Sequence, residues 1–252
     1  FQDRQILAYV ANLAHHVDVG GGAPASIGAF REVYQEGVII PPVRILQGGT
    51  LVEDVFRLVL AQVRAKRETA GDFRAQIAAN LAGARRLQAI VQQHGAETVR
   101  ACMHELLAYT DRRTRAELQR LPRGVYRAEG VIDSDGFTGD PVRLAAAITI
   151  DDYGVCFDLT GCDPQRPAPV NATYSQTFSA CAYVLKCPID PDIPVNAGFY
   201  RHVRMTAPEG TVVHARHPAP VVGGWEVNSR LTDVLLAALA PALPDLSPAG
   251  TK

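Results

Sequence analysis

No stretch of this sequence reaches the roughly 18 to 20 consecutive apolar residues that a bilayer-spanning helix needs. Even the apolar run from Leu231 to Leu243 is broken by Asp233 and Pro241, so membrane insertion is not expected. Blocks of five or six like charges are missing as well, and the formal net charge is −1 over 252 residues. Without concentrated positive charge to meet a phosphate backbone, nucleic acid is not expected as a partner. Cys-x-x-Cys pairs are absent: Cys102, Cys156, Cys162, Cys181 and Cys187 form an odd, scattered set, unlike a disulfide framework or a zinc ribbon. All five read as buried structural thiols in a reducing, cytoplasmic setting. The phosphate-cradling Gly-x-x-x-x-Gly-Lys-Ser/Thr, the dinucleotide fingerprint Gly-x-Gly-x-x-Gly and the Gly-x-Ser-x-Gly elbow are missing too. ATP, if the reaction uses it, is therefore expected on another chain.

What is present is globular in character: 47% apolar and 20% charged residues can build a sizeable core. The opening Phe1-Gln2-Asp3-Arg4 has no initiator Met and no signal-peptide pattern. It leads into a strand-like Ile6 to Val10, as a cut through an existing fold would. Short strands and glycine-rich turns are expected from Ile6 to Leu46, punctuated by Gly20-Gly21-Gly22 and Pro41-Pro42. Apolar residues at helical spacing then predict a helix over 51–64. A long helix over 72–94 follows the break at Gly71, capped by Asp72 and ended by Gly95. A partner over about 97–120 is stopped by Pro122 and Gly124, giving an antiparallel helical hairpin.

Beyond Gly124 the period changes to alternation, predicting strands over 125–132, 142–150 and 155–159 with a turn at Asp151-Asp152-Tyr153-Gly154. A helix over 174–185, strands over 199–205 and 211–215, and a last helix capped by Ser229 complete the chain. The expected fold is α+β, a mainly antiparallel sheet beside the long hairpin. It divides into a strand and loop segment (1–50), a helical region (51–124) and a β-rich region (125–252). Residues 44–127 hold 15 Lys+Arg against 8 Asp+Glu, and residues 128–252 hold 8 against 14, so the halves carry +7 and −6. Arg on wet helix faces and Asp in strand turns account for that split.

Two concentrations of polar chemistry stand out. In Ala14-His15-His16-Val17-Asp18 two imidazoles and a carboxylate follow an apolar stretch, the residue types that hold a divalent ion. Neighbouring strand side chains point opposite ways, so only one imidazole can face a given ion, and two ligands at most come from here. A hydrogen-bonded strand histidine is the alternative, and both remain open. In Gly71-Asp72-Phe73-Arg74-Ala75-Gln76 and on to Asn80, Asp72, Gln76 and Asn80 lie four apart on one helical side. That row, with Arg74, is either a substrate-facing surface or an N-cap followed by a polar stripe. Asp133-Ser134-Asp135-Gly136 opens like a calcium loop but lacks the later Glu, and reads as a hairpin turn.

Eight stretches occur in one order: AHHVDVGGGAPAS, YQEGVIIPPV, GDFRAQIAAN, LPRGVYRAEGVIDSDG, CFDLTGCDPQ, VNATYSQT, DIPVNAGFYRHV and PEGTVV. Together they resemble the hydantoinase B/5-oxoprolinase family, which also contains acetone-type carboxylase subunits, through essentially the whole chain. The resemblance implies a longer B-type subunit of which this is a central piece. It works with an ATP-binding hydantoinase A-type partner in a hetero-oligomer that phosphorylates a small cyclic amide and hydrolyses it. ATP-dependent carboxylation of a ketone, or a non-catalytic assembly role, are the alternatives. The resemblance further implies a divalent metal of the Mn, Zn or Mg class, with His15 as one ligand and its other ligands upstream. His16 and Asp18 then become catalytic candidates beside it, and Asp72, Arg74, Gln76 and Asn80 candidates for substrate binding. Where the family often has Pro-Gly-Ser, this chain has Pro24-Ala25-Ser26, placing Ala at a turn that favours Gly.

Overall fold

A computed structural model describes residues 6–244 and 246 and divides the chain into two compact units, Phe1–Ile27 with Glu36–Glu105, and Gly28–Gln35 with Leu106–Lys252. The first unit opens on a long irregular segment. The strands expected between Ile6 and Leu46 are not there: up to residue 45 the described backbone holds only bends and a short 3-10 turn at Pro24–Ser26, with another at Val33–Gln35 in the second unit. An apolar run becomes a strand only if a neighbouring strand takes its N–H and C=O groups, and Ile6 to Val10 has no such neighbour. Regular structure begins with a two-strand hairpin, β1 (Leu46–Gln47) and β2 (Thr50–Leu51). Gly48 and Gly49 turn it at φ 58° and 84°, the left-handed pair that a tight hairpin requires.

Helix α1 (Glu53–Ala61) carries Glu53 and Asp54 in its first turn, where the helix dipole favours negative charge, and buries Phe56. Helix α2 (Lys66–His94) runs straight through Gly71. The break expected there is absent because one internal glycine costs only about 1 kcal/mol against alanine, while Thr69 and Ala70 on its N-terminal side are buried. Asp72 is therefore inside the helix, not its cap. Gly95, at φ 81°, ends α2 with its N–H on the Val91 carbonyl, and α3 (Ala96–Leu118) starts on the next residue. The irregular segment lies along α2 in the opposite direction: Val10 meets Gly83, Asn12 bonds Gln76 and Asn80, His16 bonds Asp72, and Asp18 bonds Arg64 and Ala65.

The second unit is built on a four-stranded sheet in the order β3 (Gly124–Ile132), β4 (Val142–Asp151), β5 (Gly154–Asp158), β6 (Val203–Thr206). The first two pairings are antiparallel, as expected, and the β5–β6 pairing is parallel, so the sheet is mixed. Strand β3 alternates half-buried and exposed residues, the pattern of a strand with one wet face. Strand β4 buries Val142, Leu144, Ile148 and Ile150. Helix α6 (Gly224–Leu239) covers β3 and β4, and α4 (Tyr174–Lys186) packs on α6 and β6. Leu144, Ile148, Phe157, Val184, Leu185, Leu231 and Leu235 interlock in this core; each such side chain contributes about 1.5–3 kcal/mol on burial.

Three boundaries differ from expectation in this unit. The 199–205 strand begins only at Val203, because Ala197–Tyr200 forms a one-turn helix, α5, whose cap Asn196 accepts the Gly198 N–H at 2.8 Å. The 211–215 strand reduces to isolated bridges joining Thr211 to Pro164 and His214. Ser229 lies inside α6, which starts at Gly224. The 133–136 segment begins the β3–β4 connection, where Asp135 accepts the N–H groups of Phe137 and Thr138 at 2.8 and 2.7 Å.

Candidate functional site

The polar residues of 12–20 and of α2 come together in the first unit. Side chains alternate along the segment: His15, Val17 and Val19 are exposed, His16 is half-buried and Asp18 is buried. His16 Nδ1 lies 3.2 Å from Asp72 Oδ2, and its ring packs on Phe73 with centroids 5.1 Å apart. Asn12 donates to the Gln76 carbonyl and to Asn80 Oδ1, both at 2.8 Å, and accepts from Gln76 Nε2 at 2.9 Å. The four-residue row on α2 is thus met by a second four-residue spacing, Asn12 to His16, on the segment it holds. Arg74, off that row, places its guanidinium 5.4 Å from the Phe56 ring centre.

Asp18 has a different task. Its carboxylate accepts the backbone N–H groups of Gly20 at 3.0 Å, of Ala65 at 3.2 Å and of Arg64, and lies 3.5 Å from the Arg64 guanidinium. Arg64 in turn donates to the Gly21 carbonyl at 2.8 Å, and Thr69 Oγ1 to the Asp18 carbonyl. Burial pushes the Asp18 carboxyl up, but the N–H donors of Arg64, Gly20 and Ala65 and the Arg64 charge outweigh it and hold the group below its ordinary value. A carboxylate placed at the start of α2 also meets the favourable end of the helix dipole. Asp18 therefore ties the glycine run to the beginning of α2.

His15 is exposed and makes no hydrogen bond among the described residues. No group of three or more His, Cys, Asp or Glu side chains among the described residues could hold a metal ion. The reason is visible locally: the Asp18 oxygens are occupied and His16 Nδ1 faces Asp72, which leaves single imidazole nitrogens where a catalytic ion takes about three protein ligands. These residues do not by themselves fit a metal site.

The cysteines supply no alternative. Cys162 and Cys181 are buried, Cys156 is half-buried, and Cys102 and Cys187 are exposed, so the expectation of five buried thiols holds for two. Burial raises the Cys162 thiol and pushes Cys181 up to about 12, the state of packed, unreactive groups. Asn12, Arg64 and the pairing of Asp72 with His16 went unrecognised in the sequence. Only the Asn12–His16 spacing could have hinted at them, since Arg64 meets Asp18 across 46 residues of chain.

No helix among the described residues is long and apolar enough to cross a membrane. The family model described as hydantoinase B/oxoprolinase matches residues 1–252. A putative D-/L-hydantoinase B-type subunit from a Pseudomonas species is 30% identical over 263 residues, covering 99% of this chain and 44% of that protein. The crystal structure of the ATP-dependent caprolactamase from Pseudomonas jessenii superposes with a TM-score of 0.83 at 32% identity, over 90% of this chain and 40% of that one. Nucleotide-free acetone carboxylase shares the fold, with a TM-score of 0.81 at 19% identity over 92% of this chain and 32% of its own. The chain thus spans less than half the length of each of these proteins.

Proposed function

Given that this chain belongs to the hydantoinase B/oxoprolinase family, we propose that it is part of the B-type subunit of an ATP-dependent hydrolase that opens a small cyclic amide. The observation that carries this reading is the match through all 252 residues, together with the likeness to an ATP-dependent caprolactamase. In the proposed hetero-oligomer an A-type partner binds ATP and phosphorylates the amide oxygen, which makes the attached carbon electrophilic; water adds there, the ring C–N bond breaks as the nitrogen takes up a proton, and a second water releases phosphate from the resulting acyl phosphate. The present chain handles the activated amide. The free cysteines suit a reducing cytoplasm.

Within this reading His15 would offer one imidazole to a divalent ion whose further ligands come from outside the described residues. His16 serves as proton acceptor beside it. Asp18 holds the glycine run in place, and Asp72, Gln76 and Asn80 hold the segment itself, so Arg74, which is exposed and makes no hydrogen bond among the described residues, is the member of the substrate-binding set left to meet a substrate. The test is an assay of the complete subunit with its ATP-binding partner, following ring opening and phosphate release on hydantoin, 5-oxoproline and lactam substrates. ATP-dependent ring opening is the expected result. Carboxylation of a ketone, or assembly without turnover, would replace the hydrolase reading by the carboxylase or the assembly module.

A further inference from the structure

The two adjacent histidines are not equivalent, and the difference is made by α2. His15 is exposed, whereas the His16 side chain is 14% exposed and has a carboxylate on one nitrogen. We propose that Asp72 is a positioning residue for His16, fixing it as the Nδ1–H tautomer and leaving Nε2 as the proton acceptor of this site. An ionised carboxylate only accepts, so the contact with Asp72 Oδ2 at 3.2 Å puts the N–H on Nδ1. Nε2 then carries the lone pair, and it has no hydrogen-bond partner among the described residues.

The ring is also held in direction. Phe73 lies against it at 5.1 Å and 32°, and Phe56 meets Phe73 edge-on at 6.0 Å and 77°. The backbone on either side is fastened by Asn12 on Gln76 and Asn80, and by Asp18 on Gly20, Arg64 and Ala65. Asp18, the carboxylate that sequence order puts nearest, is fully occupied, so the orienting role falls to Asp72, 56 residues along the chain. The Asp72 side chain is 41% exposed, so solvent weakens the pairing and a tautomer bias of roughly fivefold to tenfold is expected from one such bond.

The catalytic part of the proposal rests on the functional reading above; the tautomer does not. With 15N-labelled histidine, long-range proton–nitrogen correlation in mildly alkaline solution reports which nitrogen of the neutral ring bears the proton. His16→Gln identifies the resonances. The Nδ1–H pattern is expected for His16 in the unmodified protein. Asp72→Ala, at a helical position where Ala is well tolerated, should shift the ratio toward Nε2–H by roughly fivefold to tenfold, with His15 unchanged. An Nε2–H pattern in the unmodified protein overturns the proposal, and that measurement needs no variant to fold; an unchanged ratio in Asp72→Ala overturns it equally. In the complete subunit with its partner, Asp72→Ala should lower kcat by roughly fivefold to tenfold, the same factor as the loss of the Nδ1–H tautomer, with KM nearly unchanged. An unaltered kcat would remove the positioning role. Absence of ring opening in the unmodified enzyme would overturn the functional reading and leave the tautomer result to decide Asp72.

Discussion

Ala25 has φ 58° in the Pro24–Ser26 turn, and Ser26 follows at the same value. A residue with a Cβ is strained by about 1–2 kcal/mol in this left-handed region. The strain falls where the family resemblance leads one to expect Gly, so that departure in the sequence has a physical counterpart in the backbone. Ala25→Gly should stabilise the protein by about 1 kcal/mol, less than the full strain because glycine has more freedom to lose on folding. An increased urea midpoint at unchanged slope is the expected reading. Asp18 was legible as a polar residue in an interesting place, but its work was not, because its partners Arg64 and Ala65 are remote in sequence. Asp18→Ala leaves three backbone donors to find other acceptors and should cost about 2 kcal/mol. The folded-state pKa of Asp18 lies below the ordinary 3.8, so its contribution is fully present above that value and disappears as pH falls through the lower folded value. The stability difference between Asp18→Ala and the unmodified protein should therefore be constant near neutrality and shrink only in acid below about pH 4; a difference that fades between pH 7 and 5 would contradict the assignment.

At the scale of elements, periodicity placed α1, α3, α4 and β3, β4 and β5 to within a few residues, and the end of α2 though not its start, which lies at Lys66 and not at Asp72, because each buries one face and that face sets the period. It failed over 6–45: Tyr9 and Leu13 are 84% and 98% exposed, and the alternation that does occur, over 15–20, buries polar Asp18 against the start of a helix without pairing to a neighbouring strand. It failed also at glycines, whose effect depends on what stands opposite. Gly71 sits in α2 with open space around a would-be Cβ, whereas at Gly223, before α6, a Cβ would lie 1.5 Å from the Pro169 carbonyl oxygen. The two positions give opposite expectations for one chemical change. Gly71→Ala should raise stability by about 0.5–1 kcal/mol through helix propensity. Gly223→Ala should lower it by about 3 kcal/mol or more, since backbone must move to admit the methyl group. Thermal unfolding of the pair, read side by side, checks both signs.

For the whole chain, the eight ordered stretches pointed to the family that the match over 1–252 establishes, because order across a long chain is a stronger constraint than any single motif. The sequence did not display the uneven distribution of the core. Among the described residues the twelve largest fully buried side chains, Phe157, Phe199, Leu144, Ile148 and Leu235 included, all belong to the second unit. Buried apolar side chains among the described residues of the first unit are few, Phe56, Val63, Ala70, Val91 and Val99, and its stretch over 12–18 is held largely by side-chain hydrogen bonds to α2 and the two residues before it. A net hydrogen bond contributes about 0.5–1.5 kcal/mol, against about 1.5–3 kcal/mol for a fully buried large apolar side chain. The two units should therefore open with different free energies. Native-state hydrogen exchange is expected to show the slowest amides in β4 and α6, intermediate ones in α2, and amides of 6–17 exchanging fastest. Weakening the fastenings by Asn12→Ala should speed exchange in α2 around Gln76 and Asn80 while leaving β4 and α6 unchanged. Equal protection throughout the chain, or an Asn12→Ala effect that reaches β4, would mean that the units unfold as one and that the side-chain ties along α2 are not what holds the segment.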